Sequence, residues 1–161
     1  MSVDLKVDCG ELGEILEVEH IKAINHAITA PDEPGAELRL GGLSSEFEVN
    51  RDEDYHYLRN PGILETLVET KLPYECRENS DLLWLTAKIM THIAQNQAFS
   101  EGNKRTAYIT GVLFLIKNQL KHGDTANYPL LNRKFTSKLQ KLAVEEIRCE
   151  DLYRYMRKEL D

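Results

Sequence analysis

Apolar residues recur at helical spacing over most of this chain. In residues 15–28, ILEVEHIKAINHAI, Ile15, Val18, Ile21, Ala23, Ile24 and Ile28 fall near one stripe. That spacing predicts a helix ended before Pro31 and Pro34. In LRNPGILETLVETKL, Ile63, Leu64, Leu67 and Val68 repeat in the same way, and a helix is expected to start at or near Pro61. Ser80 is the expected cap of a long apolar helix carrying Leu82, Leu83, Leu85, Ile89, Met90, Ile93 and Ala94. Thr106 to Leu120 carries Ala107, Ile109, Val112, Leu113, Phe114, Leu115 and Ile116. It is apolar on most sides, so it is expected to be the central buried helix. Two more helices are expected: one around Phe135–Leu142, and one in EDLYRYMRKEL with Leu152, Tyr155, Met156 and Leu160 on one stripe. The pattern predicts an all-α bundle of six or seven helices. Residues 15–161 are expected to form a single domain, and residues 1–14 an N-terminal extension.

Residues 29–60 break the pattern. APDEPG is a turn signal. AELRLGGLSSEFEVN alternates polar and apolar around Gly41-Gly42, which allows a short hairpin. NRDEDYHY is acidic and expected to be exposed. The stretch is long for a plain connection and suits a flap or functional loop.

Composition narrows the function. With 161 residues, 42% hydrophobic and 29% charged, the chain suits one globular domain that needs no metal or disulfide to hold its core. Its net charge of −7 repels duplex DNA from most of the surface. The densest basic stretch, Asn132 to Lys141, reads as a solvated helix face. Cys9, Cys76 and Cys149 lie far apart, without zinc spacing, and are expected to be reduced thiols of an intracellular protein. Cys76, among charges in YECREN, is expected to be exposed. No apolar run approaches the ~20 residues of a membrane span. The acidic N-terminus lacks the basic start of a signal peptide. The expected location is the cytoplasm.

The chemistry concentrates in QAFSEGNKRT, Gln97 to Thr106. This loop joins two apolar helices and opens the second, where unpaired backbone N–H groups and the helix dipole favour an anion. Gly102 lets the backbone approach a ligand closely. Asn103 can fix the turn or donate to a phosphate oxygen. Lys104 supplies a point charge and Arg105 a bidentate fork. Glu101, the loop's carboxylate, can hold Mg²⁺ against phosphates. Phe99 is expected to plug the loop into the core.

QAFSEGNKRTA resembles the Fic/Doc superfamily signature, His-x-Phe-x-(Asp/Glu)-(Gly/Ala)-Asn-(Gly/Lys)-Arg, at Phe99, Glu101, Gly102, Asn103, Lys104 and Arg105. LRNPGILETLV resembles an Arg-(Asp/Asn)-Pro-Gly-Leu-Leu-Glu segment of the death-on-curing (Doc) branch. The likeness covers roughly residues 15–160. It implies an all-helical fold, ATP and Mg²⁺ as cofactors, and transfer of part of the nucleotide to a protein hydroxyl. Most Fic proteins transfer AMP and have glycine before the last arginine. The Doc branch has lysine there, as Lys104 does here. It moves the γ-phosphate to a threonine of elongation factor Tu, as a toxin restrained by an antitoxin.

The chain departs from the signature at its head. Gln97 stands where the resemblance places the general-base histidine. A glutamine amide can hydrogen-bond a hydroxyl but cannot take its proton. The resemblance therefore implies impaired transfer with nucleotide binding retained. Gln97 marks either a catalytically dead nucleotide- or protein-binding descendant or an inactive form of a toxin. An AMP transferase stays open as the other activity. His92, about 140° around the preceding helix from Gln97, is not expected to substitute. His20, His26, His56 and His122 are expected to be structural or superficial. The family's internal brake, (Ser/Thr)-x-x-x-Glu-(Gly/Asn), has no full match, since TAPDEP and SSEFEV fail at the last position. The expected partners are therefore a separate antitoxin, Phd-like or other, and a target such as elongation factor Tu, with no nucleic acid and no membrane.

Overall fold

The computed structural model describes residues 5–29, 60, 62–99 and 102–160. Among them it is helical, with no strand, and Lys6 and Asp81 form an isolated bridge. A 3-10 turn at Cys9–Glu11 leads into α1 (Leu12–Ile15) and α2 (Val18–Thr29). Then come α3 (residues 62–78), α4 (Leu82–Asn96), α5 (Asn103–Lys121), α6 (Arg133–Ala143) and α7 (Cys149–Leu160). The expected all-α bundle is met. No helix among the described residues is long and apolar enough to cross a membrane. The possible hairpin around Gly41-Gly42, the acidic NRDEDYHY stretch and His56 lie outside the described residues.

Three local departures have physical causes. The first predicted helix is split, because Leu16 is extended at φ −134°, ψ 120°. The break lets Leu12, Ile15 and Leu16 all reach the core. The cap of α4 is Asp81 rather than Ser80. The Asp81 carboxylate accepts the Trp84 N–H at 2.9 Å, the usual N-cap bond, while the Ser80 carbonyl accepts the Val7 N–H. In α3 the predicted helix continues through Pro73. Proline has no N–H and would clash with the carbonyl four residues back. The helix answers with a π-helical stretch at Thr66–Lys71, in which the Leu72 N–H reaches the Leu67 carbonyl.

The centre of the bundle is the α4–α5 pair. Residues 106–112 of α5 are buried without interruption, as expected for a central helix. Gly111 makes the close approach possible. A Cβ there would lie 2.6 Å from Met90 Cγ and Cε. α2 packs on α5, while α6 and α7 pack on α4. Phe135 of α6 sits edge-on to both Tyr108 and Tyr155, and Tyr108 donates its hydroxyl to the Pro129 carbonyl at 2.7 Å.

Residues 5–16 form a strap across one end of this pair. Val7 N–H donates to Ser80 O, Leu82 N–H donates to Leu5 O, and Lys121 at the end of α5 pairs with Glu11. The strap overturns the expectation of three reduced cysteines. Cys9 and Cys76 form a disulfide with Cα atoms 5.8 Å apart. Cys76 is 1% exposed rather than superficial. The backbone pairing of the strap brings together two residues 67 positions apart, a proximity no local spacing encodes. Cys149 is a free, buried thiol, and burial pushes its pKa up.

Candidate functional site

The loop between α4 and α5 begins with a left-handed residue. Gln97 ends α4 at φ 48°, ψ 58°. That conformation costs a side-chain-bearing residue about 1 kcal/mol. The neighbouring carbonyls are held from outside. Asn60 donates its side-chain amide to Gln97 O at 3.1 Å and its backbone N–H to Ala98 O at 3.1 Å. Ala98 and Phe99 then turn inward and are buried in the core.

Asn103 closes the other half. Its Oδ1 accepts the Phe99 N–H at 3.0 Å, and its Nδ2 donates to the Phe99 carbonyl at 2.8 Å. Of its two expected roles, the structure displays turn fixing. Gly102 is left-handed, at φ 77°, ψ 16°. A Cβ there would meet Asn25 Nδ2 at 3.2 Å and Thr29 Cγ2 at 3.3 Å. Glycine is required here both for the turn and for the closeness of α2. Asn25, 1% exposed, donates to Thr106 Oγ1 at 3.1 Å and so ties α2 to the first turn of α5.

The 19-residue α5 starts without a side-chain cap and without an acid in its first turn. Lys104 is exposed and Arg105 half-buried. An uncapped helix N-terminus with two cations in its first turn is an electropositive concentration of N–H donors. Such a helix start favours an anion over a cation. Ser100 and Glu101, the expected metal carboxylate, lie outside the described residues. Among the described residues no cluster of His, Cys, Asp or Glu is placed to hold a metal ion.

Gln97 and Phe99 thus follow α4 directly, and Gly102, Asn103, Lys104 and Arg105 open α5; the described histidines lie on or beside the helices. His92 is 7% exposed, and its Nε2–H donates to Ile63 O at 3.0 Å. Burial lowers its pKa. His122 sits at the far end of α5, bonded to Asn118 O. His20 is exposed beside Glu17, and His26 is half-buried on α2. Periodicity missed Asn60 and Asn25. The one signal for Asn60 was its place before Pro61-Gly62, where a chain must turn. Nothing in the helical stripe marked Asn25.

No curated protein and no solved structure matches the chain. A family model described as "Fic/DOC family" matches residues 15–115. The match runs from the end of α1 through the loop and most of α5, with Asn25, Asn60 and the Gln97–Arg105 turn inside it. The chain belongs to the Fic/DOC family, whose general activity is nucleotide-dependent modification of proteins.

Proposed function

We propose that this chain is a Doc-like toxin of a toxin–antitoxin pair, built for ATP-dependent phosphoryl transfer to a hydroxyl of an elongation factor Tu-like translation factor and impaired by Gln97. The observation that carries the reading is the uncapped start of α5, with Gly102 left-handed before it and Lys104 and Arg105 in its first turn. Those N–H groups and cations suit a polyphosphate. Lys104 favours the phosphoryl-transferring branch, in which the protein mainly positions groups and neutralises charge. Glu101 would hold Mg²⁺, which would neutralise phosphate charge when bound. Arg105 would grip phosphate oxygens through its fork.

Transfer would join the γ-phosphorus of ATP to the target hydroxyl oxygen, release ADP and set free the hydroxyl proton. Position 97 is where that proton would be taken. Glutamine can orient the hydroxyl through a hydrogen bond but cannot accept the proton. Loss of a general base typically costs ~10²–10⁴-fold in rate. Nucleotide binding depends on α5 and Gly102, and so it persists. The family's brake motif is unmatched in the chain, which fits restraint by a separate antitoxin whose segment docks beside the loop.

The test compares this chain with Gln97→His. Both are expressed under tight control, then incubated with lysate and ATP labelled at the α- or the γ-phosphate. Growth arrest and γ-label on one protein, by the histidine form alone, is the expected result. Transfer of α-label would make the chain an AMP transferase. No label and no arrest from either form would reduce the loop to a binding element.

A further inference from the structure

We propose that Asn60 is a positioning residue for the side chain at position 97. Resting on the phosphoryl-transfer reading above, Asn60 fixes the direction from which a group at 97 meets the target hydroxyl. The last carbonyls of a helix have no partners within it. At the end of α4, three successive carbonyls face one residue from 36 or more positions earlier. Asn60 Nδ2 donates to Gln97 O at 3.1 Å and lies 3.4 Å from Asn96 O, and its backbone N–H donates to Ala98 O at 3.1 Å. The Asn60 carbonyl in turn accepts the Ile63 N–H at 3.2 Å. Asn60 is thereby anchored to the first turn of α3, and the start of α3 grips the end of α4.

The grip matters because Gln97 is left-handed at φ 48°. A non-glycine residue stays in that region only where its surroundings over-determine it. If the Gln97 carbonyl lost its donor, residue 97 could leave the left-handed region, and the change in its φ and ψ would redirect its side chain. Nucleotide-facing groups would stay in place, because Gly102 and Asn103 are held separately, by α2 and by Phe99. Asparagine suits the task because its amide carries two N–H donors. Aspartate has none and would set a charge against the Gln97 and Asn96 carbonyl oxygens.

The test uses the full chain with Asn60→Ala and Asn60→Asp. Amide hydrogen exchange is measured over residues 96–103 and over the core of α5. Exchange about tenfold faster in the first segment, with the core unchanged, is expected from losing the side-chain bonds. Equal exchange in both segments overturns the proposal. The same substitutions are then made beside Gln97→His. The expected result is a kcat about tenfold lower or more, with KM for ATP within twofold. A parallel loss of ATP affinity would mark Asn60 as general scaffolding and overturn the positioning role. If Gln97→His alone transfers nothing, the phosphoryl-transfer reading fails, while the exchange result still decides whether Asn60 holds the backbone of position 97.

Discussion

The two ends of the α4–α5 pair are built differently. At one end, the start of α4 and the end of α5 are closed by the N-terminal strap, with backbone bonds at Val7 and Leu82, the Lys121–Glu11 pair and the Cys9–Cys76 disulfide. At the other end, a short loop with two left-handed residues, Gln97 and Gly102, is held largely by asparagine side chains. A disulfide contributes several kcal/mol, a single hydrogen bond about 1 kcal/mol. The strapped end is therefore cross-linked covalently, whereas the loop end rests on hydrogen bonds and on the burial of Ala98 and Phe99. Candidate function sits on the loop, carried by the rigid helix pair.

The largest effect should come from the strapped end. Cys9→Ser with Cys76→Ser removes a cross-link spanning 67 positions. The expected loss is about 4 kcal/mol, or roughly 10 °C in Tm. The Tm rise that the proposed function expects from ATP–Mg²⁺ should survive unchanged, since the strap lies at the opposite end of the α4–α5 pair. Thermal melts with and without nucleotide check both. Loss of the nucleotide shift along with the Tm would show that the two ends are not independent.

A smaller effect is expected midway between the ends. Gly111→Ala places a methyl group 2.6 Å from Met90 Cγ and Cε in a fully buried contact. Overpacking of this kind costs about 1–3 kcal/mol. Urea denaturation should show a lower midpoint with an unchanged slope. A midpoint equal to that of the parent would mean that Met90 moves aside freely.

At the loop end the loss of stability shrinks and the loss of binding grows. Gly102→Ala forces a side chain into the left-handed region and against Asn25 and Thr29. It should cost about 1–2 kcal/mol of stability. It should also abolish the Tm rise with ATP–Mg²⁺, because the turn presenting the α5 N–H groups is displaced. A Gly102→Ala protein that kept the full nucleotide shift would remove the start of α5 from the proposed phosphate site.

The contrast between the ends also explains what was legible in the sequence. Helices α4, α6 and α7 were readable because one-sided burial imposes a 3.6-residue period, and α5 because Ile109 through Ile116 is apolar on most sides, the mark of a central helix. The Gly102–Arg105 turn was readable because glycine, asparagine and cations adjoin in sequence. The strap was not, since Val7 pairs with Ser80 and Cys9 with Cys76 through contacts that leave no periodic trace. The Asn60 grip crosses 37 positions to Gln97 and was hidden for the same reason. The π-helical stretch was missed because a stripe of apolar residues marks helical spacing but not the extra residue that Pro73 calls for.

The smallest expected effect separates the ends by pH. His92 lies on α4 one turn before the loop, and its carbonyl accepts the Asn96 side-chain N–H at 2.7 Å. Its pKa is held below the ordinary 6.5, chiefly by burial and also by the nearby Lys71 charge, against an opposing backbone bond to Ile63. The geometry gives the reason. Nε2–H already donates to Ile63, and Nδ1 is buried with no partner, so a proton added there would leave a buried donor unpaired. Below about pH 6.5 the unfolded chain binds a proton that the folded chain refuses. This contribution to stability is therefore complete above about 6.5 and declines as pH falls toward the lowered folded value. Tm should drop on going from about pH 7 to about pH 5, and His92→Gln should flatten that part of the profile. Protection factors over residues 96–103, corrected for the slower intrinsic exchange at lower pH, should fall on acidification before any change appears at the strap. Simultaneous loosening of both ends would mean that protonation of His92 acts on the whole α4–α5 pair and that the ends are coupled through the helix joining them.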